Sequence, residues 1–162
     1  MTTDTSEYRD GILLAWQGEH WGKAFLERVA ERTEDAGHRA KWQVLAQLEE
    51  ATGNALTPLV DDSAEPDPEG YRQVDTVVDE YAKLSWAEAM EQMTTLLDPA
   101  IERFERLLAI APEEDLEVVQ ILLDHELALK HFAERELAGD PETSLDSVRA
   151  VIERARAVHA TA

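Results

Sequence analysis

Four long stretches of this chain repeat apolar residues every three to four positions, and a run of acids, prolines and glycine interrupts the pattern once, midway. A period near 3.6 residues lays apolar side chains along one face of an α-helix. No stretch of useful length shows the two-residue alternation of a half-buried strand, so the chain is expected to be all-α. The interruption, Asp61 to Gly70, contains two prolines, one glycine and five acids, a composition that cannot build a packed element. It separates two helical hairpins.

Capping and breaking residues place the elements. Helix one is predicted over about Ser6 to Thr33 with Ser6 as N-cap, and helix two over about Ala36 to Pro58. A short amphipathic helix follows near Tyr71 to Lys83, with Val74, Val77, Val78 and Tyr81 on one side. Ser85 and Glu88 form a capping-box signature that opens helix three, which runs to about Ile110 with a kink at Pro99. Helix four covers about Glu113 to Ala138 and stops at Gly139, a natural left-handed C-cap. A fifth helix occupies about 144 to 158. Long helices, short turns and one longer crossover are the pattern of an antiparallel four-helix bundle, with a short extra helix before helix three and a C-terminal fifth. At 162 residues and 44% hydrophobic side chains, one domain spanning 1–162 would bury about two thirds of its extended surface.

The apolar stripes are interrupted by ionisable residues. On a wheel of about 100° per residue, Glu19 sits among Ile12, Ala15, Leu26 and Ala30 of helix one. On helix two, His38, Leu45, Glu49 and Leu56 form one line, with Trp42 and Thr52 alongside. His125 and Glu126 flank the centre of the stripe on helix four, and Glu136 continues it toward one end. Helix three carries no inward acid: Trp86, Met90 and Met93 read as core. His20, Lys23, Glu27 and Glu31 gather on the polar side of helix one, and Asp124, Lys130, His131 and Glu134 on that of helix four, both expected to face solvent; His159 reads as a tail residue. Burying an ionisable group costs several kcal/mol unless it pairs, binds metal or neutralises. At this stage the inward acids fit a structural polar network, a metal site or a ligand pocket without metal.

Composition excludes several classes. Fifteen Lys plus Arg against 35 Asp plus Glu leave a net charge of −20, which repels nucleic-acid phosphates and anionic lipid alike and would favour a basic protein partner. With no cysteine, any metal must be held by oxygen and imidazole. No apolar run approaches the roughly 20 residues that cross a bilayer, and the N-terminus has no signal-peptide pattern, so a cytoplasmic protein is expected. No serine lies in a glycine elbow and no phosphate-cradling glycine loop is present. A second apolar ridge on helix one, Leu14, Trp21 and Phe25, calls for a cover from the last helix or from an identical subunit, and a homodimer is the expectation.

The run Leu123-Asp124-His125-Glu126-Leu127-Ala128-Leu129-Lys130-His131-Phe132-Ala133-Glu134-Arg135-Glu136 resembles the last helix of the ferritin-like superfamily, and the likeness extends over roughly residues 6–138. In metal-binding members a Glu on each of two helices, and a Glu-x-x-His motif on each of the other two, hold a pair of iron or manganese ions. The resemblance implies ligand positions at Glu19, Glu49 and Glu126, with His125 beside them and His38 as an outer partner. This chain departs from the pattern: Thr52 stands three residues after Glu49, Leu129 three after Glu126, and helix three supplies no carboxylate. The implied set is three acids and His125 around one divalent ion such as iron, with open positions for water or oxygen. Two functions follow. One is a non-catalytic binding or assembly module; the other is a metal-dependent, oxygen-activating oxidoreductase with a reduced ligand set.

Overall fold

A computed structural model describes residues 2–159, with side chains from residue 5 onward. Among them the regular structure is entirely helical, and no helix is long and apolar enough to cross a membrane. The elements are α1 (Thr2–Arg32), α2 (Ala36–Leu56), α3 (Pro68–Tyr81), α4 (Trp86–Leu96), α5 (Asp98–Ile110), α6 (Leu116–Leu137) and α7 (Asp146–Ala157). Single 3₁₀ turns at Thr57–Leu59 and Glu113–Asp115 follow α2 and precede α6.

Local chemistry explains most boundaries. Asp35 caps α2 by accepting from the His38 N–H at 2.8 Å, and Asp67 caps α3 in the same way with Pro68 in the first turn, where a missing N–H costs nothing. Ser85 and Glu88 close the expected capping box on α4. Gly139 takes a φ of +79° after α6, the left-handed conformation that only glycine adopts freely. Other boundaries correct the sequence reading. The first helix is already helical at Thr2, so Ser6 lies inside it rather than capping it. The second ends at Leu56, where Pro58 tightens the chain into the 3₁₀ turn. The short helix starts at Pro68, ahead of Tyr71. Helix three is broken at Leu97 into α4 and α5 rather than merely kinked, because Pro99 has no N–H to return to Thr95.

α1 and α2 form the most extensive pair, and their contacts descend along one helix as they ascend along the other: Trp16 meets Thr57, and Lys23 meets Glu50. α6 packs against α2, α4, α5 and α7, so apolar residues on several of its faces are buried. This overturns part of the expected solvent face of α6, although Glu134 is exposed as expected. α7 covers part of it: Arg154 donates to Asp124 at 2.6 Å, and His131 Nδ1 lies 2.8 Å from Ser147 Oγ. His20, also expected in solvent, is half-buried against the edge of Trp16, and His159 reaches the Ala55 carbonyl at 2.8 Å.

The second ridge of α1 finds its cover within the chain. α3 lies along α1, where Trp21 Nε1 donates to the Gly70 carbonyl, Phe25 meets Tyr81 edge to face at 5.0 Å, and Arg28 pairs with Asp75. Only Leu14 of that ridge remains exposed, at 54%. Neither α7 nor a second subunit is needed to cover Trp21 and Phe25.

Candidate metal centre

Where α1, α2 and α6 meet, three ionisable side chains converge inside the core. Glu19 comes from α1, Glu49 from α2 and His125 from α6, and one ligand atom of each lies within 4.8 Å of the others. His125 is completely buried, and Glu19 and Glu49 retain 3% and 8% of their surface.

Two glycines allow this approach. A Cβ at Gly22 of α1 would stand 2.6 Å from Glu49 Oε2, and one at Gly53 of α2 would stand 3.3 Å from the Glu19 Cβ. Each helix thus clears space for the other's glutamate. A glycine inside a helix costs up to about 1 kcal/mol relative to alanine, so these two positions forgo helix stability to admit the carboxylates.

Hydrogen bonding around His125 is incomplete. Its Nδ1 lies 3.0 Å from Thr52 Oγ1 and 3.0 Å from Glu19 Oε2, but only the Thr52 contact has hydrogen-bond direction, leaving Glu19 Oε2 without a partner. Nε2 lies 3.3 Å from Glu49 Oε1, also off-line, and has no partner either. Buried polar atoms are nearly always satisfied, so two orphans within one small buried cluster call for a third body. With a metal bound, His125 would be neutral: Nδ1–H donating to Thr52 would leave the Nε2 lone pair for the ion, as in a metal-ligating histidine whose other nitrogen is fixed by a neighbour.

The charge balance points the same way. Burial lifts the Glu19 carboxyl well above the ordinary carboxylate range; His125 opposes the lift and Glu49 adds to it. Burial also disfavours the His125 imidazolium, yet Glu19 and Glu49 outweigh it and hold its pKa well above the usual imidazole value. Two ionised carboxylates and one imidazolium sum to −1, and a proton on Glu19 brings the sum to zero. A divalent cation with two carboxylates and a neutral imidazole also sums to zero, replacing two protons with one ion. Carboxylate oxygen and imidazole nitrogen at bond lengths of about 2.0–2.2 Å are the donors that iron, manganese and zinc accept.

Glu126 lies outside this trio. It is buried, its Oε2 has no partner, and burial pushes its pKa up to about 7, with His125, Glu49 and Arg103 as smaller influences of mixed sign. As neighbours on one helix, His125 and Glu126 diverge by about 100°, so only one can aim at the trio. His38 is more distant still: eleven residues from Glu49, about 16 Å along α2, it stacks on Trp86 at a centroid distance of 3.8 Å. It is not an outer partner of the cluster.

Glu136, on the inward line of helix four, belongs to a second buried polar group whose partners Lys41 and Ser144 went unread in the sequence. Glu136 accepts from Lys41, from Trp86 Nε1 at 2.9 Å and from Ser144 Oγ at 2.7 Å. Burial opposes its ionisation, but these donors hold its carboxyl below the ordinary range. Every oxygen of this group has a partner, the mark of a structural network. Thr52 and the two glycines were likewise unread as site residues; the available signal was glycine inside a helix opposite an inward acid.

Comparison with known protein families, curated proteins and solved structures finds no match for this chain.

Proposed function

We propose that this protein is a ferritin-like helical bundle that binds one divalent metal ion between Glu19, Glu49 and His125. The observation that carries the proposal is the pair of orphaned buried atoms, Glu19 Oε2 and His125 Nε2, in a cluster whose ligand atoms lie within 4.8 Å of one another. Support for the ferritin-like assignment comes from the pairing of α1 with α2, of α2 with α6, and of both α4 and α5 with α6, across a long α2–α3 connection. Three protein ligands leave coordination positions for water or a small molecule, as Lewis-acid and redox sites require. Oxidoreductase activity is the catalytic form of this reading. Without metal, the same bundle is a binding or assembly module whose buried trio is held by protons alone.

Cobalt(II) titration tests the proposal, because the visible absorption of cobalt reports nitrogen and oxygen ligation directly. Chelator-treated protein should develop a saturable spectrum at about one equivalent, absent from His125→Ala and Glu19→Gln. A spectrum identical to that of the free ion, in protein that remains folded, would leave the proton-held trio.

A further inference from the structure

On the outer side of Glu49 lies a pocket of about 210 Å³, bounded by α1, α2, α3, α4, the α4–α5 break and Leu129 of α6. The break at Leu97 helps create it. α5 rests on both α1 and α6, whereas α4 packs chiefly on α6, which leaves space between α1 and α4. α3 roofs part of it with Val77 and Tyr81.

We infer that this pocket binds a single-ring aromatic molecule whose one hydrogen-bond donor faces the Glu49 carboxylate. Three observations define that ligand. First, apolar cavities of about 150 Å³ already accept benzene, so the volume here admits one ring with a small substituent. Second, Trp21, Phe25, Trp42 and Tyr81 line the space, and Phe25 is held stacked on Trp21 at 5.2 Å and edge-on to Tyr81 at 5.0 Å. These aromatic walls are fixed before any ligand arrives, which favours ring-on-ring packing. Third, Glu49 is the one charged side chain in the lining. Gly22 keeps it bare on the α1 side, where a Cβ would stand 2.6 Å from Oε2. Glu49 Oε1 lies 3.3 Å from His125 Nε2, and Oε2, beside Gly22, is the oxygen assigned to the ligand's donor. A ligand carboxylate would meet this charge and the net charge of −20, so anions are excluded. The exposed Leu96, at 63%, forms part of the rim through which the ring enters.

The inference goes beyond metal binding and does not depend on it. Phenol and toluene, which have the same ring and nearly the same size, are titrated into chelator-treated, metal-free protein while the methyl NMR signals of Val77, Leu97 and Leu129 are followed. Phenol should shift these signals saturably and bind about tenfold more tightly than toluene, the worth of a hydrogen bond to a buried carboxylate. In Glu49→Met the phenol-to-toluene ratio should fall to about one. Leu97→Trp, which fills the pocket, should abolish binding of both, and Leu96→Trp at the exposed rim, which keeps the test open where the interior change disturbs folding, should weaken both. No saturable shift from either probe, equal affinities in the unaltered protein, or undiminished binding in both tryptophan variants would overturn the inference, whatever the outcome with cobalt.

Discussion

Replacing Glu126 by Gln should change the pH dependence of stability more than stability itself. Burial raises the Glu126 pKa to about 7 in the folded chain, against about 4.5 when the chain is unfolded. The native state therefore keeps its proton to higher pH than the unfolded state. Stability is full below about pH 4.5 and declines as pH rises to about 7. The full loss is about 2.5 pKa units at 1.36 kcal/mol each, about 3 kcal/mol, of which about 2.5 kcal/mol falls between pH 5 and pH 8. Gln is neutral throughout and has no such loss. Its own cost, a buried amide in place of a carboxylic acid, is the same at both pH values and cancels in the comparison. Urea unfolding of metal-free protein and variant, followed by helical circular dichroism at pH 5 and pH 8, gives the two stability differences. The variant should gain about 2 to 3 kcal/mol on its parent over that interval. A difference that does not change with pH would refute a desolvated, unpartnered Glu126.

Gly22→Ala should weaken cobalt binding at least tenfold by pushing Glu49 from His125, whereas Gly18→Ala, whose new Cβ meets nothing within 4 Å, should leave cobalt binding unchanged and stabilise α1 by about 0.5 to 1 kcal/mol in urea unfolding. Lys41→Met strands the Glu136 carboxylate, which is 5% exposed, and should cost about 3 kcal/mol near neutral pH. Because the folded Glu136 pKa is lowered, that cost should shrink as pH falls below about 4.5. Ser85→Ala removes the capping box of α4 and should lower stability by about 1 kcal/mol in the same assay.

The helical class, the midchain connection and the inward positions of Glu19, Glu49, His125 and Glu126 were legible because a 3.6-residue period reports burial directly. Gly139 and the Ser85–Glu88 box were legible because their chemistry is local. What escaped depended on contacts between elements. A helical wheel assigns one buried face, but α6 is covered by α7 as well as by the bundle, so His131 and Asp124 are engaged where solvent was expected. The cover for Trp21 and Phe25 was sought in a distant helix or a second chain, yet the short α3 supplies it through Gly70 and Tyr81. Within the site, the sequence placed four candidate ligands, with His38 as an outer partner. The distances select Glu19, Glu49 and His125, leave Glu126 aside, and remove His38, which shares the stripe with Glu49 but lies three helical turns away.

The most direct test of the central claim is metal content by mass spectrometry, on tag-free protein purified without chelator and compared with its Glu49→Gln and Glu126→Gln variants. The account predicts about one divalent ion per chain in the unaltered protein, lost in Glu49→Gln and retained in Glu126→Gln. A chain that carries no metal, and takes up none when supplied with iron(II), manganese or zinc, would contradict it.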